Sequence, residues 1–374
     1  MKKKILFVIP EYSHGGTNKS LEHLLHFIDK GKYSVSILCL YEDGGKLYRE
    51  IFHPYIIRKS LLYRLAHDNV VTRKVMGLLM KLNHNVTFNW LYLFEARRVQ
   101  TKFHYDVAIA FQEGTATQFV SYMDKVEKRI AWIHCDYKNH IIGKEPELDL
   151  YKKFDRVVSV SQCAVKSVIN LMPTLKVKTS CIYNTIDVDE VERKSLQGGN
   201  PYSDKNVFKI LSVGRFVYEK QFYLIPDFVK ELRQLTSHPF CWFIIGDGLN
   251  RKATEEKVKA YGLEKEIKIL GQKENPYPYF RYADLHVCPS ASESFSYTIA
   301  ESKTLHVPVL CNDFPVSTEV VSPDEGWICN VKNMPDMLAR LLDDENHMYS
   351  KVKASLANYK YPNEGILKAI DDIL

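Results

Sequence analysis

The eight cysteines of this 374-residue chain stand singly, at positions 39, 135, 163, 181, 241, 288, 311 and 329, without a Cys-x-x-Cys pair or a histidine cluster at zinc spacing. That scatter supports neither a structural zinc nor a disulfide framework. It reads as small buried hydrophobes in a reducing cytosol. No apolar run approaches the roughly 20 residues needed to span a bilayer. Met1-Lys-Lys-Lys4 imitates the charged region of a signal peptide, but the apolar run Ile5–Pro10 is short and leads into Glu11, so it is expected to be a first strand. A soluble or peripheral protein follows. Low-complexity tracts are missing too, and with 45% apolar and 26% charged residues most of the chain should fold. Charge is nearly balanced, at a formal +6, which suits anionic ligands or an acidic membrane surface but lacks the concentrated basic stripe of a nucleic-acid binder. Neither Gly-x-Gly-x-x-Gly nor a Walker-type Gly-Lys-Ser/Thr is present, so ordinary dinucleotide binding and P-loop phosphoryl transfer lose support.

What is present is a long alternation of short apolar runs and helical patterns, the mark of parallel sheets with helices on both faces. The length favours two domains. Strands are expected at Lys4–Pro10, Ser34–Tyr41, Asp106–Phe111, Arg129–Cys135, Arg156–Val160 and Lys178–Tyr183, then at Phe208–Gly214, Cys241–Gly246, Ile267–Leu270, Leu285–Pro289, Val307–Cys311 and Trp327–Cys329. A helix over Thr17–Asp29 follows the first strand, with Leu21, Leu24, Leu25 and Ile28 at the helical period. Between the halves, Ser195–Asp204 is polar and rich in turn formers, as an exposed linker is. We therefore expect an α/β chain with a first domain over 1–190 and a second over 191–359. The last helix, about 360–374, belongs to the second domain or packs back on the first. Two such sheets facing each other would leave a cleft at the carboxyl ends of their strands, where ligands bind.

Candidate chemistry gathers at those strand ends. Glu293 lies in the loop after the strand Leu285–Pro289 and Glu301 within the next helix, eight positions on, so the two should meet different parts of one ligand. A carboxylate accepts from two adjacent hydroxyls, and a helix start between them offers free N–H groups to phosphate. The alternative for Glu301 is a solvated helix position. After Gly214, Arg215 and Lys220 can place two cations on one diphosphate, the first by paired hydrogen bonds and the second as a point charge. Gly15-Gly16 allows close backbone approach to a phosphate or sugar, and Gly246-Asp247-Gly248 makes a turn at a strand end. His134, in Trp132-Ile-His-Cys-Asp-Tyr137, closes a strand where it could bond a sugar or acceptor, with Asp136 orienting the loop or the acceptor. Asp187-Val-Asp189 imitates a metal-binding Asp-x-Asp, but its position after a strand and Asn184 favours a turn and helix cap. No metal set is seen, and basic residues can neutralise charge in place of a divalent ion. The stretch 58–81 mixes cations with large apolar residues. Two readings stand: a pair of core helices with solvated faces, or a surface for anionic lipid.

In this order and placement, the Gly15-Gly16 loop, Trp132-Ile-His134, Asn184, Gly214-Arg215 with Lys220, Gly246-Asp247-Gly248 and the Glu293 to Glu301 spacing resemble glycosyltransferase family 4 along nearly the whole chain. The resemblance implies the GT-B fold of two facing Rossmann-like domains and a retaining sugar transfer without metal or other cofactor. It implies that Arg215 and Lys220 bind the donor diphosphate, Glu301 the ribose and Glu293 the sugar hydroxyls near the reacting carbon, with His134 beside the donor sugar. Gly15, Gly16, Asn184, Gly246 and Asp247, and Ser294, Phe295, Ser296, Tyr297 and Thr298 on the phosphate side, complete the implied donor site. Ser294 and Ser296 depart from the family, where glycines are frequent. A UDP-linked nucleotide-sugar donor and a glycan or polyprenyl-diphosphate-linked acceptor at the inner membrane face are the implied partners, with no nucleic acid. Two other readings are a two-domain UDP-sugar epimerase and a non-catalytic sugar-nucleotide-binding subunit.

Overall fold

The structure is a computed structural model that describes residues 2–11, 15–40, 56–59, 89–141, 147–203 and 206–374. The chain divides into two units, residues 1–185 with 363–374, and residues 186–362.

Among the described residues, the first unit is built on a parallel sheet of seven strands: β1 Lys3–Ile9, β2 Tyr33–Cys39, β3 Ile56–Lys59, β4 Val107–Ala110, β5 Lys128–Ile133, β6 Arg156–Ser159 and β7 Thr179–Cys181, in the order β3-β2-β1-β4-β5-β6-β7. Apolar runs such as Ile5–Ile9 are buried along their whole length, as strands covered on both faces must be. After β1 the chain winds outward through β2 and β3. It then returns to the other side of β1 with β4, so the winding reverses between β1 and β4.

Strand β3 was not expected. Arg58 and Lys59, read as the start of a helical stretch over 58–81, instead end this strand, paired with Leu38 and Cys39 of β2. Four residues of which two are charged carry no period, and the signal lies in the neighbour strand. Residues 60–81 of that stretch lie outside the described residues.

The helix Gly16–Phe27 buries Leu21, Leu24 and Leu25. The C-terminal helix Asn363–Ile373 packs on this same unit through Ile366, Ile370 and Ile373, four and three residues apart on one face. Burying each such side chain is worth about 1.5–3 kcal/mol. Lys32 and Tyr33 clamp Asp371 at 2.7 and 3.0 Å, and Lys128 Nζ donates to the Ile373 carbonyl at 3.0 Å.

The second unit holds a parallel sheet of six strands: β8 Phe208–Val213, β9 Phe240–Ile245, β10 Ile267–Gly271, β11 Leu285–Cys288, β12 Val309–Asn312 and β13 Gly326–Cys329, in the order β10-β9-β8-β11-β12-β13. Here the winding reverses between β8 and β11. Ser212 in β8 spans that point, donating to the Val287 carbonyl at 2.6 Å and accepting from Trp242 Nε1 at 3.0 Å, which satisfies the buried indole N–H. The division after Thr185 puts the helix Val188–Ser195 in this unit. There Asn275 donates to the Lys194 carbonyl at 2.9 Å and Arg281 to Ser195 Oγ at 3.4 Å. Asp187 caps that helix, accepting from the Glu190 N–H at 3.0 Å, the turn-and-cap role expected of it.

Candidate active site

Lys220 and Glu293 come from the loops after β8 and β11, the two strands flanking the reversal in the second unit, and they meet there. Nζ of Lys220 lies 2.5 Å from Oε1 of Glu293. Their side chains are 23% and 9% exposed, so water screens the pair little. Burial alone would lower the Lys220 pKa, but the Glu293 carboxylate outweighs it and holds the ammonium above the ordinary lysine value. The same carboxylate oxygen accepts from Ser290 Oγ at 2.7 Å and from Cys288 Sγ at 3.7 Å. Burial pushes the Cys288 thiol up to about 11, with the Glu293 charge adding to it, so the thiol stays a neutral donor. The two loops are also tied through their backbones by Ala291 N–H to the Glu219 carbonyl at 2.7 Å.

Arg215 differs from its expected twin. It is exposed, with no hydrogen bond or ion pair from its guanidinium among the described residues. Its charge nonetheless reaches Lys220. One cation is thus held within the protein and the other is open to a ligand.

The loops after β8 and β9 interlock. Gly214 N–H donates to the Ile245 carbonyl at 3.0 Å, Phe216 N–H to the Asp247 carbonyl at 2.8 Å, and Asn250 N–H back to the Phe216 carbonyl at 2.9 Å. Gly246 makes this possible: a Cβ there would lie 1.8 Å from the Gly214 carbonyl oxygen, and its φ of +144° also favours glycine. Asp247 serves the turn itself, taking the Gly248 N–H at 2.7 Å and Arg251 Nη1 at 3.1 Å.

Beyond Glu293, Phe295 is buried edge-on against Tyr297 at 5.1 Å. Ser296 then turns into the helix Tyr297–Thr304 with φ +67°, a left-handed conformation that costs a serine more than it would a glycine. Its hydroxyl sits 3.4 Å from that of Thr298. Ser294 is partly exposed in the same loop. Glu301 is not a solvated helix residue: it is 2% exposed, and its Oε1 accepts from the Tyr277 hydroxyl at 3.2 Å.

In the first unit, His134 follows β5. Its backbone N–H donates to Glu113 Oε2 at 3.0 Å, and its ring packs on Phe111 at 4.7 Å and parallel to Trp132 at 6.3 Å. Burial pushes the imidazole down to about 4, only partly offset by Glu113, so it is neutral at pH 7. Its Nε2 is buried without a partner among the described residues. Asp136 is occupied as a helix cap, accepting from Lys138 N–H at 3.1 Å and Ser167 Oγ at 2.5 Å. Gly15 caps the helix that Gly16 begins, in extended backbone. Asn184 is buried and accepts from Ser20 Oγ of that helix at 2.7 Å, which ties the segment after β7 to the first helix.

Sequence reasoning missed three contributors. Glu113 follows β4, and its signal was a polar Gln112-Glu113-Gly114 directly behind an apolar strand. Ser290 follows β11 and Asn312 ends β12, and Asn312 Nδ2 donates to the Ser290 carbonyl at 2.9 Å. No spacing rule marks these two, because their partners come from separate strands.

Residues 198–359 match the family Glycosyl transferases group 1. The matched stretch lies wholly within the second unit. Among curated relatives, an N-acetylgalactosamine-N,N'-diacetylbacillosaminyl-diphospho-undecaprenol 4-alpha-N-acetylgalactosaminyltransferase of Campylobacter jejuni is 25% identical over 222 residues, 59% of this chain and 56% of that one. An amylovoran biosynthesis glycosyltransferase of Erwinia amylovora is 26% identical over 172 residues, 44% of this chain and 48% of that one. The chain thus spans about half the length of these relatives. Anabaena HepE, solved in complex with UDP, superposes with a TM-score of 0.72 at 16% identity, covering 100% of this chain and 99% of that one. The fold is GT-B. The Lys220–Glu293 pair and Arg215 all fall inside the matched glycosyltransferase domain.

Proposed function

We propose that the chain is a retaining glycosyltransferase of family 4. It moves a hexose or N-acetylhexosamine from a UDP-linked sugar to a hydroxyl of a glycan or polyprenyl-diphosphate-linked oligosaccharide, in the assembly of a surface polysaccharide. The observation that carries this reading is the Lys220–Glu293 pair at the strand reversal of the second unit, with an unpartnered Arg215 on the loop beside it.

Breaking the bond between sugar and diphosphate leaves a second negative charge on the departing phosphate. A fixed ammonium and a free guanidinium stabilise that charge without reorganising water, and they stand in for a metal ion. Glu293 accepts from hydroxyls of the donor sugar and, bound already to Lys220, is no free nucleophile. The departing phosphate oxygen takes the acceptor proton on the same face, so the anomeric configuration is kept. His134, neutral at pH 7, offers its unpartnered Nε2 as a hydrogen-bonding atom rather than as an acid. Glu301 takes the ribose hydroxyls. The UDP preference draws on the Anabaena complex, and the lipid-linked acceptor on the name of the Campylobacter relative. The lipid-linked acceptor proposed here would put the enzyme at the inner membrane face as a peripheral protein; no helix of the described residues is long and apolar enough to cross a membrane.

The test is calorimetry with UDP, GDP, ADP and their sugar conjugates in EDTA, followed by NMR of the product made on a lipid-linked or soluble acceptor. Selective UDP-sugar binding and a product of unchanged anomeric configuration support the reading. Epimerised donor without acceptor would favour a UDP-sugar epimerase, and binding without turnover a non-catalytic subunit.

A further inference from the structure

Glu293 has two carboxylate oxygens, and the fold treats them unequally. Oε1 accepts from Lys220 Nζ at 2.5 Å, Ser290 Oγ at 2.7 Å and Cys288 Sγ at 3.7 Å. Oε2 accepts nothing among the described residues. Each oxygen of an ionised carboxylate has room for about two strong donors, so Oε1 is filled.

We propose that Ser290 is a positioning residue: with Lys220 it saturates Oε1 of Glu293 and so turns the carboxylate to present Oε2 to the sugar of the donor. This deepens the function proposed above and rests on it. Ser290 is itself fully buried and acts only through Glu293. Its own place is fixed from behind. Asn312 Nδ2 holds the Ser290 carbonyl at 2.9 Å, while Asn312 Oδ1 takes the Val331 N–H at 2.8 Å, so β12 and the turn after β13 brace the loop after β11.

The physical need is plain. The terminal torsion of glutamate is broad and nearly two-fold, so a carboxylate held by one lysine alone would swing and share both oxygens with the ammonium. A second donor fixed on Oε1 removes that freedom and leaves one oxygen pre-aimed, which is where orientation contributes to rate.

The experiment compares wild type with Ser290→Ala and Ser290→Cys, the latter similar in shape but a weak donor. It measures UDP affinity, UDP-sugar turnover and melting temperature. The expected result is a kcat lower on the order of 10- to 100-fold in Ser290→Ala, the size of a lost hydrogen bond to a charged group. UDP affinity should stay within about twofold, and Ser290→Cys should fall between. Unchanged kcat would overturn the proposal. So would a loss of UDP affinity equal to the loss of turnover, since that marks a collapsed loop rather than a misaimed carboxylate. A wild type that binds no nucleotide would overturn the underlying function, and that outcome is distinct because it does not involve Ser290.

Discussion

The Lys220–Glu293 pair makes a prediction about stability that is independent of substrate. Removing one member of a fully buried ion pair costs about 3–5 kcal/mol, because the other charge is left without compensation. Here the lysine retains some contact with water, so Glu293→Ala should cost less, about 2–3 kcal/mol. Lys220→Ala should cost about 1–2 kcal/mol, since Ser290 and Cys288 still donate to the remaining carboxylate. The double variant removes both charges and strands neither. Its cost should fall short of the sum of the singles by about 1–2 kcal/mol. In a domain of this size each kcal/mol moves the melting temperature by roughly 2–4 °C, so the shortfall is readable by calorimetry at pH 7.5. Singles that add to the double within about 0.5 kcal/mol would refute the coupling. The pH dependence gives a second reading. The folded Lys220 pKa is raised above the ordinary 10.5, so the pair's contribution is complete below that pH and fades as pH climbs through the raised value. An alkaline scan should therefore steepen the loss of wild-type stability above about pH 10.5, with a flatter curve for the double variant.

Three further outcomes follow from the same geometry. Gly246→Ala should destabilise the second unit by more than about 3 kcal/mol, since its methyl would meet the Gly214 carbonyl oxygen at 1.8 Å; soluble variant protein with wild-type melting would contradict this. Arg215→Ala should leave melting within about 0.5 kcal/mol of wild type, because the side chain is exposed and unpartnered, while UDP affinity in calorimetry falls on the order of 10- to 100-fold. Burial pushes His286 down to about 3, so the native state stays neutral while the unfolded chain takes a proton below about pH 6.5. Stability is then lost on acidification at up to about 1.4 kcal/mol per pH unit. His286→Leu should flatten the melting curve between pH 6.5 and 4.5, and parallel curves would rule the effect out.

Most strands were legible because they are apolar runs of ordinary length, and a strand buried on both faces needs little more. Twelve of them fall where the sequence reading puts them, within two residues at every end. Strand β3 escaped because its four residues include Arg58 and Lys59, and pairing with β2 decides it. The site was legible at the level of loops, since parallel sheets put every loop after a strand on one edge. Partnership was not. Nothing in the chain says that Asn184 would be spent on Ser20, Asp136 on Ser167, or Asp247 on its own turn, because those bonds depend on which elements the fold brings together.

The difference between the two cations shows what that costs and what it yields. Arg215 and Lys220 lie five positions apart and look interchangeable as diphosphate contacts. The short 3-10 turn Tyr218–Lys220 carries the lysine inward to Glu293, while the arginine stays at the rim. A buried ammonium that already has its carboxylate needs no further solvation and keeps its place when the ligand leaves. A free guanidinium, with its planar set of donors, can follow a diphosphate as it separates from the sugar. Under the proposed function the interior pair would chiefly set geometry, while the exposed cation would add donor affinity to its part in steadying the departing phosphate, so loss of Lys220 should fall chiefly on kcat and loss of Arg215 on donor binding as well as kcat. Steady-state kinetics of the two alanine variants, each with the same donor, measure that division directly. Equal effects on kcat and KM in both would mean that the two cations share one role after all.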